Sequence, residues 1–244
     1  VLDHLISAMT DIKNHRHRVI ENLILLMQSA QKVIVSSADI SQEIIDFLEY
    51  NTGEKAFIIE NIFKPKGGYC KIYVQSNPQK LWSDLEVSLT KEQKIMIFTG
   101  SQKRTSTWST QTLEEIIKNK FPHLKVMRVD SETVGDKERL EYRCFNNFNE
   151  FIEREQPDVL LVSPVLETGI DITTKHFDSY WGINWGITSV NSFSQAMARI
   201  RTNIPRYIWS SNNFIGRVGN GSSFSSVLES VSYTHLTLPT TGIV

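Results

Sequence analysis

Two cysteines in 244 residues, Cys70 and Cys144, stand far apart. They lack the short paired spacing of a zinc site or a redox motif, and a disulfide framework has no support. Both read as small core residues. No run approaches the ~20 apolar residues that a membrane-spanning helix needs. The N-terminus also lacks a basic segment followed by an apolar stretch and a cleavage site. The sequence therefore predicts a soluble, cytoplasmic protein with no membrane partner. An excess of one charge is missing too: 26 Lys plus Arg face 27 Asp plus Glu, for a net charge of -1. No global field marks a polyanion binder, so any nucleic-acid contact has to be local. What the chain does hold is 40% hydrophobic and 10% aromatic residues, enough for one full domain and a piece of another. That excludes a disordered or collagen-like chain. The first residue is Val1, in what reads as the middle of a helical pattern, so the expectation is a fragment of something longer.

The period of the apolar residues changes along the chain. Val19, Ile20, Leu23, Ile24, Leu26 and Met27 recur at helical spacing over 19–30. A β-branched run at 32–35 then ends in a polar loop, and a helix capped by Asp39 or Ser41 runs through Ile44, Ile45, Phe47 and Leu48 to the stop at Gly53. A second strand-like run, 56–59, precedes Lys64, Pro65, Lys66, Gly67 and Gly68, the strongest linker signal in the chain. Beyond it, strands are predicted at 71–74, 94–98, 125–129 and 158–162, alternating with helices at 79–89, 110–120 and 137–154, with a last helix at 192–201. Such alternation argues for an α/β protein with a parallel sheet covered by helices on both faces.

In such sheets chemistry gathers in the loops at the carboxyl ends of the strands. Here those loops are 36–39, 99–101, 130–133 and 163–171, all rich in hydroxyls and carboxylates. Any one of them, taken alone, reads as a set of helix caps.

Together they carry more. VLLVSPVLETGIDI at 159–172 is a strand, a Ser-Pro break and a polar run ending in Gly169 and Asp171. SFSQAMARIR at 192–201 places Gln195, Arg199 and Arg201 on a helix otherwise filled by Ala196, Met197, Ala198 and Ile200. This pair resembles motifs V and VI of superfamily 2 helicases. SSAD at 36–39 resembles motif III, and IMIFTGS at 95–101 resembles motif IV, in the same order. VDSETV at 129–134, HFDSYWGI at 176–183 and QAMARIRTNIPRYIW at 195–209 narrow the resemblance to cyanobacterial plasmid replication proteins and related origin-binding helicases.

The resemblance implies a RecA-like, P-loop NTPase type of fold, with residues 68–211 as the second RecA-like domain and 1–67 as the trailing part of the first. ATP and Mg2+ are the implied cofactors. DNA, single-stranded or at a replication origin, is the implied partner, with other replication proteins beside it. The phosphate-cradling G-x-x-x-x-G-K-[ST] pattern does not occur in these residues, nor does an Asp-Glu metal motif upstream of Ser36. The chain alone is therefore expected not to hydrolyse ATP.

By similarity Arg201 and Arg199 become the arginine finger and its partner, with Gln195 beside them. A guanidinium suits that role through its permanent charge and its fork, which matches phosphate oxygens. Gly169 and Asp171 would line the nucleotide edge. Thr99, Ser101, Thr133 and Ser163 would touch DNA phosphates, which position a strand without reading it. Ser37 and Asp39 would transmit the ATP state between domains. The chain departs from the family pattern at Ala198, where a glycine is usual, at Asp39, where threonine is usual, and in the two-residue step from Arg199 to Arg201.

Trp181, Trp185 and Trp209 read first as core, with base stacking as the other reading. His15 and His17, in the basic run at 13–18, make a poor metal pair and read as a solvated helix end. The tail at 212–244 turns to Gly, Ser and Asn, and 230–244 resembles translated adapter sequence rather than a biological element. A silent nucleic-acid-binding or protein-interaction module with a helicase-like fold is the alternative function. A nucleotide-dependent transferase of similar strand-helix alternation ranks last.

Overall fold

The computed structural model describes residues 16–36, 40, 42–62, 68–101, 106–145, 147–164, 170–188 and 190–211. Ser37, Asp39 and Gly169 lie outside the described residues, as do His15, the loop at 64–67 and the whole tail at 212–244. The chain forms two compact units, divided after Ile62.

In the first unit α1 (Arg16–Ser29) and α2 (Gln42–Thr52) form where the apolar spacing predicts them. Met27 and Ile44 are the apolar residues buried there. Gly53, at φ 72°, ends α2 in the left-handed conformation that glycine adopts without a Cβ penalty, and its amide donates to the Glu49 carbonyl at 2.9 Å. The two strands expected at 32–35 and 56–59 are absent. Both segments are irregular, with Ile34 78% and Phe57 89% exposed. β-propensity is realised only against a neighbouring strand, and nothing among the described residues pairs with either run.

The second unit begins with β1 (Cys70–Tyr73), α3 (Gln79–Thr90), β2 (Ile95–Thr99), α4 (Thr110–Lys120) and β3 (Val126–Val129). It continues through α5 (Ser131–Gly135), a 3-10 turn (Leu140–Phe145), α6 (Phe148–Glu155), β4 (Val159–Val162), β5 (Ser179–Asn184), α7 (Val190–Met197) and β6 (Arg206–Ser210). The six strands form one sheet in the order β1-β6-β5-β2-β4-β3, parallel at every pairing.

The pleat divides the apolar residues of each strand between two cores. Ile95, Ile97, Val159, Leu161, Trp181 and Ile183 meet Leu81, Leu85 and Leu89 of α3 and Leu113 and Ile117 of α4. On the other face Met96, Phe98, Leu160, Val162 and Tyr180 meet Phe148, Phe151 and Ile152 of α6 and Phe193 and Met197 of α7. Trp181 and Trp209 lie wholly inside, with Trp181 stacked on Tyr207 at 4.1 Å, so the core reading of these tryptophans holds.

The helix expected over 137–154 is broken. Asn147 caps α6 by accepting from the Glu150 amide at 3.2 Å, which starts a new helix there. β5 and β6 were not among the predicted strands. Both carry continuous burial or aromatic residues without the clean alternation that marks a strand in sequence.

The edge strand β1 is fastened to α3 by one carboxylate. Asp84 accepts from Lys71 Nζ at 2.9 Å, Tyr73 Oη at 2.7 Å and Lys80 Nζ at 2.9 Å. Hydrogen bonds from Lys80, then Tyr73 and Lys71, hold its carboxyl well below the usual range. The hydroxyl of the buried Tyr73 is pushed up to about 12 by burial and that carboxylate.

Two predictions follow from this packing. A Cβ on Gly182 would lie 2.6 Å from Met197 Sδ and 2.7 Å from Phe193 Cζ. Gly182→Ala is expected to cost about 1–3 kcal/mol by overpacking, read as a lower urea midpoint at unchanged m. Asp84 titrates near 3.9 when unfolded and lower when folded, so its contribution is complete above about pH 4 and is lost as pH falls toward the folded value. The stability difference between the native chain and Asp84→Asn should be constant near neutrality and shrink below about pH 4 in urea titrations.

Candidate functional site

The resembling motifs meet where α7 ends. Tightening begins at Ala198, whose amide donates to both Ser194 and Gln195 carbonyls, and Arg199 N donates to Ala196 O at 3.1 Å. The helix expected to reach residue 201 therefore stops at Met197. Arg206 at the start of β6 turns back onto Met197 O, the last carbonyl of the helix, and onto two carbonyls of the segment that follows it. The guanidinium donates from Nε to Met197 O at 3.1 Å, from Nη2 to Ile200 O at 2.7 Å and from Nη1 to Ile204 O at 3.2 Å. A cation at a helix carboxyl end satisfies orphan carbonyls and the helix dipole together. Tyr180, buried in β5, adds a hydrogen bond from its hydroxyl to Ala196 O at 3.1 Å, and burial raises its pKa.

Past the turn, the chain runs extended beside the loop that follows β4. Ile172 N donates to Arg199 O and Arg201 N donates to Ile172 O, each at 2.9 Å, giving a parallel bridge between Ile172 and Ile200. Both isoleucines are buried. Arg199 and Arg201 flank Ile200, so they alternate with it instead of sharing a helix face, which accounts for their two-residue step. This corrects the helical placement of both arginines.

Their surroundings differ. Arg199 is half-buried, and its Nη1 donates to Ile170 O at 3.3 Å. It closes a small apolar pocket whose walls include Phe98, Val162, Ile170, Ile172 and Tyr180. Arg201 Nε donates to Asp171 Oδ1 at 2.6 Å, with the side chains 59% and 54% exposed. An exposed ion pair of this kind is worth about 0–1 kcal/mol, so Arg201 is held in place without being locked. Gln195 sits on α7, half-buried, one turn before Arg199.

The other expected site residues are distributed along the carboxyl edge of the sheet. Thr99 is wholly buried and donates to Trp108 O at 2.6 Å. Thr133 is buried in the capping box of α5, where Oγ1 accepts from Asp130 N at 3.0 Å and Asp130 Oδ1 in turn accepts from Thr133 N at 3.2 Å. These two hydroxyls shape loops from inside and present nothing to solvent. Ser163 is buried at the end of β4 and Ser101 is half-buried after β2. Of the four expected strand contacts, Ser101 alone has a partly exposed side chain.

Sequence reasoning missed Arg206 and the buried Arg128, whose guanidinium contacts Glu114 at 2.8 Å, Asp130 at 2.6 Å and Glu132 at 2.8 Å. It missed Asn149 on α6 as well. Nothing local marks which of several arginines folds back onto carbonyls. Among the described residues no group of three or more His, Cys, Asp or Glu side chains is placed to hold a metal ion, and no helix is long and apolar enough to cross a membrane.

Comparison with known proteins gives a match to the family described as the helicase conserved C-terminal domain over residues 78–203. An uncharacterized protein of Picosynechococcus sp. is 34% identical over 220 residues, covering 86% of this chain and 22% of that protein. The chain thus spans under a quarter of that relative's length. Among solved structures, the Hef helicase domain of Pyrococcus furiosus is 20% identical, with a TM-score of 0.32 over 54% of this chain and 24% of that one. The Mycobacterium smegmatis helicase Lhr, bound to ssDNA and AMP-PNP, is 16% identical, with a TM-score of 0.46 over 72% and 23%.

Because three carbonyls depend on one guanidinium, Arg206→Ala is expected to cost about 2–3 kcal/mol. In hydrogen exchange the Ile172 and Arg201 amides should lose protection before those of β2, and equal loss throughout the sheet would count against this placement.

Proposed function

Since the chain belongs to the helicase conserved C-terminal domain family, we propose that it supplies the arginine-bearing, RecA-like domain of an ATP-dependent DNA helicase or translocase acting in replication initiation on a plasmid or phage origin. Residues 68–211 are the second RecA-like domain in this reading, and 1–67 the trailing part of the first. The observation that carries it is the bridge of Ile172 to Ile200, which sets Asp171, Arg199 and Arg201 side by side at one end of the sheet.

The two arginines divide the work by their environment. Arg199, fastened to the Ile170 carbonyl over an apolar floor, is the partner that holds position. Arg201 is the finger. Its exposed bond to one carboxylate is weak enough to be exchanged for a terminal phosphate, which carries more charge and accepts a bidentate fork. The chain's own residues fit that phosphate and not its cradle, so ATP and Mg2+ would be held mainly by other residues. When bound, ATP would supply the free energy for the domain movement, with Arg201 and Arg199 of this chain reaching its terminal phosphate. Gln195 and Asp171, with Gly169, border the nucleotide. Ser101 and Ser163 lie at the edge along which a DNA strand would run, with Thr99 and Thr133 supporting their loops. Ser37 and Asp39 would transmit the ATP state between the two domains.

The test is ATP turnover by the encoded polypeptide with its upstream coding sequence included. Arg201→Ala is expected to lower kcat by about 10³ while single-stranded DNA affinity at fixed salt stays within a few-fold. Unchanged turnover would remove Arg201 from the mechanism. Salt-sensitive DNA binding that does not change with ATP, in a polypeptide without turnover, would favour the silent binding module.

A further inference from the structure

The loop that carries Asp171 is held from two sides. On one side stands the Ile200 bridge. On the other stands α6, a rigid element anchored in the core by Phe148, Phe151 and Ile152. From its first turn the half-buried Asn149 reaches across to the loop. Its Oδ1 accepts from Thr173 N at 2.8 Å, Thr174 N at 3.1 Å and Thr174 Oγ1 at 3.0 Å, while Nδ2 donates to Asp171 O at 2.9 Å. One amide thus binds both a carbonyl and two successive backbone N–H groups. A side chain with only an acceptor or only a donor cannot do this, and the two N–H partners fix which way the amide points.

Asp171 is the residue this arrangement sets. Its carbonyl is tied to Asn149, the next residue is tied to Arg199 and Arg201 through the bridge, and its carboxylate is left facing Arg201 Nε at 2.6 Å. Remove the Asn149 amide and the Asp171 carbonyl loses that bond, while the loop keeps the Ile172 bonds, Arg199 Nη1 on Ile170 O and Thr174 Oγ1 on Glu153 Oε1. The Asp171 backbone is then free to rotate, and an exposed ion pair is too weak to hold it. We propose that Asn149 is a positioning residue for Arg201, acting through Asp171 to aim the guanidinium before nucleotide arrives. This rests on the reading of Arg201 as the finger. Its geometric part is testable without that reading.

The measurement is the Nε–H resonance of Arg201 in the isotopically labelled chain, assigned by its loss in Arg201→Lys. Asp171→Asn gives the position of the unpaired guanidinium. In Asn149→Ala the resonance is expected to move to that same position, and the Thr173 and Thr174 amides to exchange about tenfold faster. Asn147→Ala is the control, because it removes the cap of the same helix without touching the loop. It should lower stability and leave the Arg201 resonance in place. An Arg201 resonance unmoved in Asn149→Ala, or moved as far in Asn147→Ala, overturns the proposal. In the turnover assay Asn149→Ala should lower kcat with KM unchanged. If Arg201→Ala leaves turnover intact, the finger reading fails, while the resonance still decides whether Asn149 positions the pair.

Discussion

The two hydrogen bonds that join Ile172 to the stretch from Arg199 to Arg201 tie together segments nearly thirty residues apart in sequence. Everything at the site follows from that join. It buries two isoleucines on the α6 and α7 face, holds Arg199 half-buried against Ile170 and leaves Arg201 exposed. It also brings Asp171 within reach of Arg201. Without the bridge, two arginines on one helix would be an ordinary solvated face.

The bridge in turn depends on polar groups that carry no chemistry of their own. Arg206 binds the last carbonyl of α7 and two carbonyls of the segment that follows it, and Gly182 lets Phe193 and Met197 lie against the backbone of β5. Helix, turn and strand are thereby fixed to one another before any ligand is present, which is the preorganisation an electrostatic role requires. The weakest link is the outermost ion pair, Arg201 with Asp171, which exposure leaves screened by solvent.

Most of the sheet was legible in the sequence because four of its strands are short β-branched runs between helices of clear period. β5 and β6 were not, since SYWGIN and RYIWS are not β-branched runs and their aromatic, polar and glycine residues fit a helix or loop equally well. Legibility failed in the opposite direction at 32–35 and 56–59, where strand propensity is present and no partner is. The order of Asp171, Gln195, Arg199 and Arg201 was readable from motif resemblance, but their helical placement was not, because a tertiary bridge and a guanidinium from β6 override the local period. The inward turn of Thr99 and Thr133 was foreshadowed by the capping reading of those loops.

The sheet separates two apolar sets that share no side chain. Packing defects propagate through contact, so a change under α3 or α4 reaches the arginines only through backbone shifts in the strands. Substitutions on opposite faces should therefore combine additively, while those among Phe98, Phe193, Met197 and Ile172 should show epistasis. The face that carries the site is bound by its neighbours, and the other is free to drift.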